Sequence, residues 1–145
     1  MGAIFEMEHP VIPAEIDAFG HVNNQVYLAW MNEASIAHSA ARGWPWSRHL
    51  KLGEGWVARR HEIEYLLPAK LGDVAVLRTW ISETSRVTAL RRYEMLRKSD
   101  GKMLARGKTL WAWINYSTGR PVRIAPEIAA DFGIPPDTPA PDKIM

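Results

Sequence analysis

The sequence predicts an α+β fold, in which an antiparallel sheet wraps around one long helix. Residues 26–41 contain a single fully charged side chain, Glu33, and five alanines that favour helix. Four strand-like segments follow this region, and short turn-like connections separate them. Short connections favour antiparallel neighbours, because a parallel crossover needs a dozen or more residues. An apolar helix followed by a meander of strands therefore predicts a sheet that buries the helix.

The helix has recognisable boundaries, and strands are expected on both sides of it. A first short strand is predicted over residues 4–11. Asn23 is the predicted N-cap, since an Asn side chain at this position accepts a hydrogen bond from the first helical turn. Glycine and proline interrupt the pattern after residue 42, and residues 50–55 are expected to form a loop. The later elements are strands over residues 56–67, 74–83, 87–97 and 103–115 and a short helix over residues 126–132.

Two of these strands carry informative alternation. In the last strand the small residues Ala105 and Gly107 share a face with Thr109, which allows a helix to approach closely. In the strand over residues 56–67, strict alternation predicts one shared face that consists of Val57, Arg59, His61, Ile63, Tyr65 and Leu67.

Composition limits the classes of function. The 145 residues predict one domain over residues 1–145, with a loose Pro-rich tail from about residue 134. The chain has no cysteine, which excludes disulfides, thiolate metal sites and a cysteine nucleophile. A net charge of +2 is too small to indicate nucleic-acid binding. No signal peptide or membrane-spanning run is evident, so a cytoplasmic protein without a membrane partner is expected.

The turn before the helix combines two groups that suit acyl chemistry. The first N–H groups of a helix have no intrahelical partner and lie at its electropositive end. With Asn23 as the cap, the backbone N–H of Asn24 is positioned to polarise a carbonyl oxygen. Asp17 precedes it in a turn that Gly20 allows to be tight. One carboxylate beside one such amide is a minimal site for hydrolysing an activated acyl group, although Asp17 also suits a purely structural Asx turn.

The segment Asp-x-x-Gly-His-Val-Asn-Asn-x-x-Tyr, residues 17–27, resembles the active-site segment of hotdog-fold acyl-CoA thioesterases of the 4-hydroxybenzoyl-CoA thioesterase type. Weaker motifs follow in the same order as in that family, and the resemblance covers roughly residues 5–128. It implies a hotdog fold and a homodimer or homotetramer with active sites between subunits. It also implies hydrolysis of an acyl-CoA without a metal or other cofactor, because coenzyme A belongs to the substrate.

The resemblance assigns roles to individual residues. It implies that Asp17 is the catalytic nucleophile or general base and that the Asn24 backbone amide binds the thioester oxygen. Among the other motif residues, His21 is expected in the catalytic group or as a backbone-bonded turn residue. Gly20, Asn23 and Tyr27 are expected to contact substrate.

Candidates outside the motif have open alternatives. His61 suits either a hydrogen-bonded core position or the wall of an acyl pocket, and the remaining histidines are too scattered to predict a metal site. Ser85 and Arg86 are candidates for the coenzyme A phosphates, as is the Arg91–Arg92 pair, although strand arginines are commonly just exposed. Three tryptophans around the loop after the helix suit core packing, an interface or acyl contact; they are Trp44, Trp46 and Trp56.

Two other functions share these sequence features. An acyl-acyl carrier protein thioesterase uses the same chemistry on a protein-bound substrate and needs a basic surface for docking. A non-catalytic hotdog module that binds acyl-CoA is the second alternative, but binding alone gives no reason for a carboxylate at Asp17.

Overall fold

The computed structural model describes residues 3–133, which form one sheet with helices packed on its inner side. A short 3₁₀ turn, Pro13–Glu15, lies between the first strand and the long helix. The described helices and strands are β1 (Phe5–Pro10), α1 (Asn24–Ala41), α2 (Trp46–Leu52), β2 (Glu54–Tyr65), β3 (Val74–Thr84), β4 (Thr88–Arg97), β5 (Met103–Asn115) and α3 (Pro126–Asp131).

The five strands form one antiparallel sheet in the order β1-β3-β4-β5-β2. The predicted antiparallel pairing is confirmed, and the predicted strand boundaries differ from the observed ones by at most two residues. β1 and β2 are the edge strands. Residues 57–62 of β2 are exposed along its free edge.

α1 packs one face onto the sheet. Its opposite face is open, and Ile36 is 67% exposed there. The prediction that a helix apolar on nearly all sides is buried all round is therefore wrong for a single chain, because the sheet covers only one of its faces. The buried side chains of α1 are Tyr27, Trp30, Met31, Ala34 and His38.

The close approach of α1 to β5 depends on Gly107. A Cβ atom at this position would lie 2.9 Å from the backbone oxygen of Glu62 and 3.0 Å from the side chain of Met31. Ala105 and Thr109, on the same face of β5, are fully buried. The expectation that small residues admit the helix is confirmed.

A β-bulge between Ala58 and Arg60 interrupts the pairing of β2 with β5. The extra residue reverses the alternation, so Val57 and His61 lie on opposite faces of the sheet. The single shared face predicted for residues 57–67 is therefore wrong.

α2 was not predicted; its last residues, 50–52, take up half of the expected loop, and β2 begins within the other half. Pro45 provides an extended N-terminal residue, and Gly53 ends the helix in a left-handed conformation with φ +79°. The short helix near the C-terminus is confirmed as α3. The tail from residue 134, predicted to be loose, lies outside the described residues.

Candidate active site at the start of the long helix

Asp17 lies in a closed turn between α1 and the preceding 3₁₀ turn. Its N–H donates to the His21 carbonyl at 2.8 Å, and the Gly20 N–H donates to the Asp17 carbonyl at 3.1 Å. Asp17 Oδ1 accepts hydrogen bonds from the Phe19 and His21 N–H groups at 2.9 and 3.3 Å. Within residues 3–133, Oδ2 accepts no hydrogen bond. One carboxylate oxygen is therefore fixed by the turn, and the other is free for chemistry.

The first turn of α1 leaves one N–H group available. Asn23 caps the helix as predicted, since its Oδ1 accepts the Gln25 N–H at 3.0 Å and its carbonyl accepts the Val26 N–H at 2.9 Å. The N–H of Asn24, which is exposed, donates to no acceptor in the described part of the chain. This N–H is the group that the sequence predicts to bind the thioester oxygen.

Glu15, which the sequence reasoning overlooked, holds this turn in place. Its carbonyl accepts the Asn23 N–H at 2.8 Å, and its carboxylate accepts Trp30 Nε1–H at 3.0 Å and contacts His9 Nε2 at 2.9 Å. Burial disfavours the charged form, but hydrogen bonds from the Ile12 backbone, Trp30 and His9 outweigh it and lower the pKa of Glu15. The available signal was a carboxylate three residues after Ile12, the capping-box spacing at the start of the 3₁₀ turn.

Glu33 is tied to the first strand and not to the turn. Its Oε2 lies 2.9 Å from Nδ1 of His9, the residue that also contacts Glu15. Glu33 follows Asn24 by nine residues, which corresponds to about 13 Å along the helix axis. A catalytic role for Glu33 at the Asn24 amide of the same chain is not supported by this geometry.

The other motif residues differ in their surroundings. The His21 ring is half-buried and has no hydrogen-bond partner within residues 3–133. Tyr27 is only 3% exposed, and its hydroxyl accepts the Ala69 N–H at 3.1 Å. Burial raises the pKa of Tyr27. Tyr27 therefore has a packing role in this chain, and Tyr65, which donates to the Asn24 carbonyl at 3.0 Å, is the nearer phenol.

His61 is not a core residue. It lies on the edge strand β2 and is exposed, and its Nδ1 contacts Thr109 Oγ1 at 2.8 Å. The core interpretation is wrong because β2 has no neighbour on its outer side. The interpretation that its ring is hydrogen-bonded is confirmed.

The turn between β3 and β4 contains the two predicted phosphate ligands. Ser85 is bound within the turn, because its Oγ contacts the Thr88 hydroxyl and accepts the Thr88 N–H at 3.1 Å. Arg86 is exposed and lines a cavity of about 370 Å³ together with Arg123 and α3. Two cationic side chains therefore border this cavity.

A second cavity of about 170 Å³ lies among α1, α2 and the sheet. It includes the three tryptophans singled out in the sequence. Trp44 is buried and Trp46 is 71% exposed. The four indoles that line the cavity belong to Trp44, Trp46, Trp56 and Trp111.

Arg91, also considered for the coenzyme A phosphates, lies inside the protein and lines this second cavity. It is 5% exposed, which contradicts the expectation of a surface arginine. Alternation along β4 puts Arg91 on the inner face with Tyr93 and Met95. Its Nη1 donates to His38 Nδ1 at 2.8 Å and to Thr79 Oγ1 at 3.1 Å.

We expect His38 to make the fold sensitive to acid. Burial, reinforced by the positive charges of Arg91 and Arg42, lowers the pKa of His38 to about 3. The unfolded chain binds this proton below pH 6.5 and the folded chain does not, so stability falls as the pH drops from about 6.5 towards 3. His38 alone should lower the free energy of unfolding by about 2 kcal/mol between pH 7 and pH 5.

Urea titrations at several pH values test this expectation. An H38Q variant retains an acceptor for Arg91 but no titrating ring, so its free energy of unfolding should change less between pH 7 and pH 5. An unchanged pH dependence in H38Q would contradict the assignment.

The Asp17 turn lies at the start of α1, and the cavity of about 170 Å³ lies beside the second half of the same helix. Ser35, the first α1 residue lining the 170 Å³ cavity, follows Asn24 by eleven residues, about 16 Å along the axis. Asp17 and Asn24 thus both lie where the turn leads into α1, whereas Ser85, Arg86 and the tryptophans form a separate region of the same chain. Among residues 3–133, no helix is long and apolar enough to span a bilayer, and no cluster of three acidic or histidine side chains is suited to a metal ion.

Two curated proteins are similar to the chain in sequence. A 57-residue match, 40% identical, joins the chain to "Putative esterase F42H10.6" of Caenorhabditis elegans and covers 39% of this chain and 34% of that protein. The chain therefore spans about a third of that relative. A longer match, 26% identical over 132 residues, joins it to acyl-acyl carrier protein thioesterase ATL3 of Arabidopsis thaliana, a chloroplastic protein, and covers 91% of this chain and 69% of that protein.

Solved structures show the same fold at low sequence identity. The "oleoyl thioesterase (putative)" of Lactobacillus plantarum superposes with a TM-score of 0.90 at 22% identity and covers 97% of this chain but 54% of that chain. A 1,4-dihydroxy-2-naphthoyl-CoA thioesterase from Synechocystis superposes with a TM-score of 0.84 at 19% identity, covering 90% and 96% of the two chains. These similarities confirm the predicted hotdog fold.

The family is shown by a match over most of the chain. A sequence model of the thioesterase-like superfamily matches residues 11–132, which include Asp17, the Asn24 turn, strands β2 to β5 and α3. The 4-hydroxybenzoyl-CoA type, a finer assignment, stays a prediction. With the hotdog fold and this match together, the chain belongs to the thioesterase-like superfamily.

Proposed function

We propose that the protein is an acyl-CoA thioesterase, which hydrolyses an acyl-CoA to a free carboxylic acid and coenzyme A. The observation that carries this proposal is the pairing of a carboxylate with one free oxygen, Asp17, and an unpartnered N–H at the start of α1, Asn24. Membership of the thioesterase-like superfamily supports the reaction class.

The chemistry follows from these two groups. The thioester oxygen accepts the Asn24 N–H, and the electropositive end of α1 stabilises the negative charge that develops on that oxygen. Asp17 Oδ2 then either attacks the carbonyl carbon or removes a proton from an attacking water. In both routes the C–S bond breaks, the thiolate leaves and takes up a proton, and water supplies the hydroxyl of the acid.

A second copy of the chain would bring the Asp17 turn of one copy close to the two cavities of the other. β2 has a free edge, and a two-fold pairing of β2 with its own copy is antiparallel. Tyr65 contacts Asn24 near one end of β2, and Trp56 lines both cavities near the other. Pairing centred on the strand places Trp56 of one copy beside Tyr65 of the other. Each Asp17 turn would then face the cavities of the second copy.

In this dimer, the cavities suit the two parts of an acyl-CoA. The indole-lined cavity offers apolar walls for the acyl group. Arg86 and Arg123 border the larger cavity, and guanidinium groups bind phosphate oxygens bidentately. The larger cavity would therefore accept the coenzyme A portion.

The test is thiol release from a panel of short, medium, long and aromatic acyl-CoA thioesters. Because the protein has no cysteine, a thiol-reactive dye detects released coenzyme A alone. We expect turnover of at least one class of acyl-CoA. The same acyl group on acyl carrier protein serves as the comparison, since one relative acts on that carrier by name.

A higher kcat/KM for the carrier-protein thioester would replace this proposal with the carrier-protein alternative. Tight calorimetric binding of acyl-CoA without any thiol release would favour a binding module.

A further inference from the structure

Arg91 is a buried cation without a carboxylate partner in the described part of the chain. It is 5% exposed, and its guanidinium is hydrogen-bonded from Nη1 alone, to neutral acceptors on His38 and Thr79, within residues 3–133. No Asp or Glu in that part of the chain forms an ion pair with it, whereas Arg78, on the adjacent strand, pairs with Glu94 at 2.9 Å. Burying an unpaired charge costs several kcal/mol. Such a cost calls for an anion that residues 3–133 do not supply.

The cavity beside Arg91 is suited to hold that anion. Among residues 3–133, the lining contains no Asp or Glu that would repel a negative charge. Arg91 is the cationic residue of this lining, and the neighbouring His38 orients the guanidinium as a neutral acceptor. The guanidinium therefore borders a chamber whose other described lining residues are aromatic, aliphatic or serine side chains.

A second donor borders the same chamber. Trp111 Nε1 is buried and has no hydrogen-bond partner among residues 3–133. Buried N–H groups are nearly always paired, so the Trp111 indole N–H, together with the Arg91 guanidinium on the same cavity, offers donors to an acceptor that binds in the cavity. Both observations point to a ligand with carboxylate-like oxygens.

We propose that this cavity receives the far end of the acyl group and that this end carries a carboxylate bound by Arg91. The inference rests on the proposed thioesterase function and specifies its substrate class, a monothioester of a compact dicarboxylic acid. Arg91 would be the residue that selects the charged acyl group, and Asp17 of the second copy would act on the thioester at its other end.

The cavity has room for a ring-sized group. Its volume of about 170 Å³ is close to the roughly 150 Å³ of an apolar cavity that binds benzene. Trp44 is in edge contact with Trp113, and Trp56 packs on Trp113 at 4.9 Å, so the aromatic walls are held rigidly. Indole walls favour a planar aromatic acyl group by offset or edge contacts. An aryl ring with a carboxylate opposite the thioester matches these features.

A matched pair of substrates tests the proposal. 4-Carboxybenzoyl-CoA and 4-methylbenzoyl-CoA have nearly the same shape and differ in the charge at the far end. We expect the wild-type protein to favour the carboxylate substrate in kcat/KM by roughly 10- to 100-fold, as for hydrogen bonds to charged groups. In R91Q this preference should disappear, whereas R91K should keep part of it. An R91Q variant with the wild-type preference would overturn the proposal.

A binding measurement separates this inference from the proposed function. Free 1,4-benzenedicarboxylate should quench the tryptophan fluorescence of the wild-type protein and raise its Tm, and its uncharged analogue 1,4-benzenedicarboxamide should do neither. If R91Q does not fold, R91K provides the same comparison with weaker binding. Dicarboxylate binding without any thioester turnover would contradict the proposed function alone. Turnover without an Arg91-dependent preference would contradict this inference alone.

A further variant addresses the chain's own carboxylates outside the described residues. Asp137 and Asp142 are the acidic side chains of residues 134–145. We expect D137N/D142N to bind 1,4-benzenedicarboxylate as the wild type does. A gain in affinity in this variant would identify a tail carboxylate as the partner of Arg91 and would overturn the proposal.

Discussion

The D17N variant is expected to lose on the order of 10²- to 10⁴-fold in kcat. An amide neither attacks a thioester nor accepts a proton from water. The turn itself should survive, because the amide oxygen of Asn can accept the hydrogen bonds from the Phe19 and His21 N–H groups that Asp17 Oδ1 accepts now. The measurement is steady-state thiol release under saturating substrate, with Tm as the check on folding.

D100N is the matched control for this variant. Asp100 also lies in a turn and also accepts a backbone N–H, that of Lys102 at 3.0 Å, but in the connection between β4 and β5. Its replacement should leave kcat unchanged. Near wild-type turnover in D17N would show that Asp17 is only an Asx-turn residue.

Replacing Asn24 with proline is expected to lower kcat by roughly 10²- to 10³-fold, the usual loss when one oxyanion donor is removed. Proline lacks the N–H group but is tolerated at the first position of a helix. The preceding residue, Asn23, has φ −58° and ψ 138°, an extended conformation that is compatible with a following proline. The variant therefore removes the proposed donor with little expected change in α1.

N24A is the control for the proline variant, because alanine removes the Asn24 side chain and keeps its N–H. It should retain most of the wild-type kcat. Circular dichroism should show the same helix content in both variants. If N24A and N24P lose equal activity with their helices intact, the side chain and not the amide is the functional group.

The sequence alone determined the turn and the helix start that form this site. The placement of Asp17, Gly20 and Asn23 was predictable because caps and tight turns depend on neighbouring residues only. The strands were predictable for a similar reason, since alternation and turn residues are local properties. The family resemblance at residues 17–27 added the roles of Asp17 and the Asn24 amide.

Tertiary structure decided features that local patterns do not contain. The bulge between Ala58 and Arg60 reverses which side chains of β2 lie on each face of the sheet, and no residue type in that stretch predicts it. Arg91 follows Leu90 and precedes Arg92 in a stretch that suits either an exposed or a buried strand. β4 pairs with β3 on one side and with β5 on the other, so it is a central strand. α1 and the end of α3 pack over its inner face, where the Arg91 side chain lies.

The physical reason for this division is the range of the interactions. Capping bonds and hairpin turns join residues a few positions apart, so the sequence shows both partners together. The residues that line the cavity of about 170 Å³ lie as far apart in the sequence as Ser35 and Tyr116. The charge of its lining depends on which distant residues pack against it, and local sequence does not show this. The sequence thus determined the Asp17 turn and the fold, whereas only the packing of α1, α2 and the sheet decided that a buried cation would line the cavity.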